Sequence, residues 1–449
     1  MRANPGSGRP RARDLSSDGR LRRRPLLKIA AGVGAVVMAA TACGGGSGSE
    51  DGVVELRFSW WGADDRHAVT QQVIDEFEAA NPDIRIVGDY TDWAAYWDRL
   101  ATSTAAGDAP DIITQEERYL REYGDRGALA DLSQLESLDL SNIDPLVAES
   151  GDMNGETYGV ATGVNAYTIM ADVDAFEEAG VELPDDESWS WDDYVDKAIE
   201  ISEATDGEIV GTQSMAFNEA GFQIFARQRG ENLYNEDGTL GYSQETLEEW
   251  YGLIDRLQEE GGQPTASESV EIEALGPDGS VLAANSGAMA HFWTNQLGQQ
   301  TDTSGHEIEL LRYPGETTED RSGMFFKPAM FYSVSAESEH PEEAARFVDF
   351  LVNSNEAAEL ILADRGLPAN IDVRGHIVGQ LPDADARSAV FLSDIEGSIE
   401  DGNPPPPIGA GEVVNIIKRS SEEMSFGNLT PQEAAEQFTS EVEAATQGG

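Results

Sequence analysis

Polar and apolar positions alternate from Val54 to Phe58, with Glu55 and Arg57 between the apolar residues, and the run ends in Trp60, Trp61 and Gly62. A two-residue period predicts a strand. The period then changes. Val69, Val73, Ile74, Phe77 and Ala80 fall on one helical face, and Asn81-Pro82 stops the helix. Ile84–Val87 reads as a second strand, a helix runs from Trp93 to about Ala105, and Asp111–Thr114 forms a third strand after the turn Gly107–Pro110. Strands alternating with helices imply a parallel sheet with right-handed crossovers, the α/β class. The tryptophans stand at the carboxyl end of the first strand, where open α/β sheets bind ligands. Strand alternation sends the two side chains to opposite faces, and we place Trp60 in the core and Trp61 toward a cleft.

The pattern continues in the same style. Gly159–Asp172 is apolar and extended, and residues 173–180 form a short helix ending at Gly180. Ser190 opens a helix with Asp193 at its third position, a capping-box arrangement, and Tyr194, Val195, Ala198 and Ile199 make its core face. Glu245–Glu260 is an acidic amphipathic helix. A short strand carries Met289 and Trp293, and 324–334 is apolar and extended. Pro341–Asn353 is a helix, and the last helix has Thr430, Pro431 and Glu433 as its start signal. The four prolines 404–407 read as a stiff surface loop.

Composition changes the picture in two ways. The chain has 449 residues, which suits two domains, and 40% hydrophobic content is enough for a sizeable core. Its net charge is −55, but residues 1–43 hold nine basic residues and two acids, so residue 44 onward carries 20 basic and 82 acidic side chains. Such a surface repels nucleic acid and anionic lipid, so no nucleic-acid role is expected. The basic front end is an address. Residues 20–28 are Arg-rich, Ile29–Ala42 is short and apolar, and Thr41-Ala42-Cys43-Gly44 leads into a Gly/Ser spacer. This resembles a bacterial lipoprotein signal, with Cys43 as the lipidated residue, although Ala40 stands where leucine is usual. Arg23-Arg24 also fits a twin-arginine export motif. An extracytoplasmic protein is expected, tethered at Cys43 through a linker over 44–52, with no later span of 18 uninterrupted apolar residues.

Specific short stretches carry a family resemblance. They are Phe77-Glu78 through Asn81-Pro82-Asp83-Ile84, Gly107–Ile112, Asn154–Val160, Trp189–Asp193, Ala288-Met289-Ala290 leading to Trp293, and His340–Phe347. In this order, across about 50–430, they resemble the family 1 extracellular solute-binding proteins, the sugar-binding subunits of ABC importers. The resemblance implies a two-lobe periplasmic-binding-protein-like fold of type II, each lobe a mostly parallel sheet flanked by helices, joined by a hinge. It places 53–160 and 324–353 in lobe one, and 161–323 and 354–449 in lobe two. It also implies an ABC permease as partner, a monomer, and no catalysis.

Chemistry read from the residues agrees with binding. The five histidines are scattered without zinc-ligand spacing, and there is no P-loop, dinucleotide fingerprint or nucleophile elbow, so no metal and no cofactor are expected. A sugar offers an apolar C–H face to aromatic rings and hydroxyls to Asp, Glu, Asn and Arg. The ligand-binding candidates are Trp61, Asp65, Arg66, Trp93, Glu116, Asn165, Trp293 and Phe326. Glu116 is either a hydroxyl acceptor or a solvated charge at a helix start, and Asn165 is either a site residue or a hinge hydrogen bond. The role of Trp293 rests mostly on the resemblance. Two other readings stay open. One is an exported glycosidase or lyase using the same cleft. The other is a receptor for a polyol, a glycerol phosphodiester or a peptide, with Arg66 and Lys327 as the cations an anionic ligand would need.

Overall fold

The computed structural model describes residues 52–446; the signal, Cys43 and all of the linker before residue 52 lie outside them. The first strand, β1 (Val54–Trp61), pairs in parallel with β2 (Ile84–Thr91) and β3 (Ile112–Gln115). The helices α1 (Asp64–Ala80) and α2 (Trp93–Ala105) make the crossovers. This is the order the hydrophobic periods predict. The sheet is completed by Phe331–Val334 and Val160–Ala161, both paired antiparallel. A second sheet runs Ile308–Leu311, Tyr167–Asp172, Gly287–Trp293, Val210–Thr212. Only its last pair is parallel. The two lobes are therefore α/β as expected, but their sheets are mixed rather than mostly parallel. Strands returning from the other lobe enter each sheet against its local direction.

A three-stranded ribbon joins the lobes. Gly163–Asn165 lies between Lys327–Pro328 and Leu367–Pro368, with Asn165 opposite Lys327 and Val164 opposite Leu367. The backbones run close: a Cβ on Gly163 would sit 2.4 Å from the Arg365 carbonyl oxygen. The chain does not leave the first lobe at 354. Helix Asn355–Ile361 packs on α1, and the buried Arg365 guanidinium donates to Tyr332 and Thr70. Arg374 donates to Asp144 at 2.8 Å. The next helix to pack on the second lobe is Asp383–Glu396, against Leu297–Ser304. Helix Asn355–Ile361 on α1 and the hydrogen bonds of Arg365 and Arg374 tie 355–377 to the first lobe, which favours a boundary near residue 380 over the expected one at 353.

Caps match their sequence signals. Ser190 and Asp193 form the capping box, and Thr430 exchanges hydrogen bonds with Glu433. Among the described residues no helix is long and apolar enough to cross a membrane.

Candidate functional site

The two tryptophans that end β1 do point to opposite faces. Trp60 stacks near Phe58, Tyr90 and His67, and its indole N–H donates to His67 Nδ1 at 3.1 Å. Gly88 makes room for it: a Cβ there would meet the ring at 2.6 Å. Trp61 turns toward α2, with ring centroids 5.0 Å from Trp93, 5.2 Å from Tyr96 and 5.7 Å from Trp97. It is only 8% exposed. The cleft-facing expectation for Trp61 is therefore corrected, because the aromatic helix behind it buries the ring. Trp93 is the outer member of this cluster, at 41% exposure.

A separate group of candidates meets at the hinge. Glu116 directly follows β3 and caps α3 (Glu117–Asp125), accepting from the Arg118 backbone N–H at 2.9 Å. Its carboxylate lies 3.2 Å from Arg118 Nε and 3.4 Å from Lys327 Nζ, and Lys327 is 3.1 Å from Glu117. Burial acts to raise the Glu116 carboxyl, but Lys327 and Arg118 prevail and hold it below its ordinary value. Burial likewise acts to lower Lys327, and Glu117 and Glu116 hold it above. Glu116 is thus neither an open acceptor nor a solvated charge. It is the anchor that fixes two cations at the mouth of the hinge. Lys327 Nζ stands 5.9 Å from the Trp293 ring centroid, within cation–π range.

Trp293 ends the strand Gly287–Trp293 of the second sheet and packs at a tilt against Tyr167, with ring centroids 4.9 Å apart. Its ring lines two cavities. One, about 50 Å³, is lined by Glu117, Arg118 and Phe325 of the first lobe and by Glu219 and Tyr234 of the second. The second, about 240 Å³, is walled by Tyr167, Gln213, Ser214, Asn218 and Gln296. Glu219 opens the helix Glu219–Gln228, whose cap is Asn218. Burial raises its carboxyl above the ordinary value, against the pull of Arg118. His291 borders the larger cavity, fixed between Tyr194 and Tyr313 and pushed down to about 3 by burial, so it is neutral.

The remaining candidates divide. Asn165 is buried and its Oδ1 accepts from Thr294 at 3.5 Å, a hinge hydrogen bond. Phe326 is buried away from both cavities, and Phe325, one residue earlier, lines the smaller one, because extended chain alternates its faces. Arg66 is held 2.9 Å from Asp364, and Asp65 is exposed on the first turn of α1. Neither lines the two cavities at Trp293.

The family model for bacterial extracellular solute-binding proteins matches residues 72–379. The chain belongs to that family. Among solved structures, this solute-binding chain is similar to an extracellular solute-binding protein family 1 from Alicyclobacillus acidocaldarius. The TM-score is 0.73 at 26% identity, covering 89% of this chain and all of that one. It also shares its fold with a periplasmic oligogalacturonide binding protein from Yersinia enterocolitica, with TM-score 0.75 at 24% identity over 88% of this chain and all of that one. A lipoprotein from the oleD 5′ region of Streptomyces antibioticus is 32% identical over 149 residues, 32% of this chain; the chain spans about a third of that relative's length, 33%.

Several residues of the solute-binding protein's cavities escaped the sequence reading. Glu219, Tyr234 and Asn403 come from the second lobe, and Glu117 and Arg118 follow Glu116 directly. A signal for Glu219 existed: Asn218 is a cap, and its helix follows the strand Val210–Thr212 at the carboxyl end, where ligand sites form. The helix is buried nearly all round, so it lacks the one-sided period that reveals a helix. The prolines 404–407 also differ from expectation. Pro406 and Pro407 are buried, Pro404 and Pro406 line the smaller cavity, and Arg121 on α3 donates to the carbonyls of Pro405 and Pro406 at 3.1 Å each. The run is a wall between lobes, because its carbonyls are free to accept from a cation across the gap. Its base is held by the buried Arg227, which donates to Asp401 and Asn403.

Proposed function

We propose that this chain is the extracytoplasmic receptor of an ABC importer, capturing a sugar or oligosaccharide between its lobes and handing it unchanged to a membrane permease. The observation that carries the reading is Trp293, a ring shared by two cavities and set beside Lys327 at the hinge. A half-buried ring bordering both cavities suits the C–H face of a pyranose, and the carboxylates, amides and hydroxyls around it suit hydroxyl groups. The larger cavity, about 240 Å³, approaches the roughly 300–1,000 Å³ typical of small-molecule sites. The Yersinia relative, an oligogalacturonide binding protein of the same fold, supports an oligosaccharide class.

The receptor is lipid-anchored at Cys43 after signal removal and acts as a monomer with one ligand. The motif Thr41–Gly44 and the lipoprotein among its relatives support the anchor. Lobe one is 53–160 with 324 to about 380, and lobe two is the rest. Ligand contacts to both lobes stabilise the closed arrangement, which is the form a permease recognises.

Calorimetric titration of the purified protein with mono- to tetrasaccharides tests this. Saturable binding of one saccharide per chain is expected. Absence of binding across α- and β-linked glucose, galactose, mannose, xylose and arabinose oligomers, with binding of a polyol or peptide instead, would contradict it.

A further inference from the structure

The smaller cavity at Trp293 is lined by two cations, Arg118 and Lys327, and two carboxylates, Glu117 and Glu219, and both cations are already paired. Arg118 is bound to Glu116, and Lys327 to Glu116 and Glu117. The carboxylate left over is Glu219, which faces them from the second lobe. Its Oε2 is enclosed with no hydrogen-bond partner among the described residues. The larger cavity repeats the arrangement, since its one lysine, Lys418, is bound to Glu273.

We propose that this cleft selects neutral or amino-bearing glycans and rejects uronates, with Glu219 as the residue that determines the choice. An enclosed acceptor without a partner is satisfied by a ligand hydroxyl or ammonium that donates to it. A ligand carboxylate would instead bring a second negative charge against Glu219, and among the described residues no unpaired cation lines either cavity to receive it. The field outside acts in the same sense, because residue 44 onward carries 20 basic against 82 acidic side chains, which slows the approach of anionic glycans. The oligogalacturonide named for the Yersinia relative is a polyuronate, so this chain differs from it in ligand charge while sharing its fold.

The inference rests on the sugar-receptor reading, and the experiment separates the two. Matched sets of neutral, amino and uronate di- to tetrasaccharides of the same linkage, including α-1,4-galactobiose and digalacturonic acid, are titrated against the full-length protein and two variants. In the wild type the neutral or amino member of a set binds at least tenfold more tightly than the uronate. In Glu219→Gln, whose amide removes the charge and can also donate, the ratio falls at least fivefold with the thermal midpoint unchanged. Glu271→Gln, an exposed acid on the nearby helix Ala266–Leu275, leaves the ratio as it is. A uronate that binds as tightly as its neutral partner overturns the inference and leaves the sugar reading standing. A ratio unmoved by Glu219→Gln, or moved equally by Glu271→Gln, overturns the role of Glu219. Failure of every saccharide to bind removes both.

Discussion

Trp293→Ala is expected to weaken saccharide binding by roughly thirtyfold or more, the effect of losing a central aromatic anchor worth about 2 kcal/mol or more, at about 1.4 kcal/mol per tenfold. The ring borders both cavities, so its loss removes a wall from each. It is only partly buried, packed on Tyr167 at 4.9 Å and Phe325 at 6.4 Å. Its removal should therefore destabilise less than the roughly 3–5 kcal/mol of a core tryptophan. Calorimetry paired with urea unfolding separates the two effects. Unfolding near wild type with binding lost fits the account. Binding retained at wild-type strength would mean that the ligand sits elsewhere.

Trp60→Ala and Trp61→Ala should both act on stability. Trp60 is 2% exposed and wedged over Gly88, with its N–H on His67, so truncation leaves a cavity and an unpaired imidazole acceptor. The expected loss is roughly 3–5 kcal/mol. Trp61 holds three aromatic residues of α2 together and should cost a similar amount, about 3 kcal/mol or more. Urea unfolding midpoints check both. A Trp61→Ala protein that unfolds like wild type but has lost its ligand would restore the cleft-facing assignment that alternation alone suggested.

Alternation correctly puts the two rings on opposite faces of β1, since it depends only on strand geometry. It cannot say which face is covered. That depends on α2, whose Trp93, Tyr96 and Trp97 fold back over Trp61 from 32 to 36 residues further along the chain. The first three strands and their crossovers were legible because each period is local. The lobe of helices 355–377 is not legible, because their apolar residues announce burial without naming a partner, and the groups that Arg365 and Arg374 bind, Thr70, Tyr332 and Asp144, are far off in sequence. The site was legible as a set of strand ends. Glu116 and Trp293 lie where that rule puts them, and Glu219 obeys it as well. What no local pattern carries is how charges pair across the hinge. Lys327 reads as a cation free for an anionic ligand until Glu116 and Glu117 are found against it. The proline run 404–407 reads as a surface loop until Arg121 is found on its carbonyls.

The central claim is that one ligand is held by both lobes at Trp293. Hydrogen exchange of the full-length protein, with and without the saccharide that calorimetry identifies, tests it most directly. The account predicts that ligand slows exchange together in 115–119 of the first lobe, 219–234 and 290–294 of the second, and 323–328 at the hinge. Protection confined to one lobe, or centred on a surface away from these four segments, would contradict it.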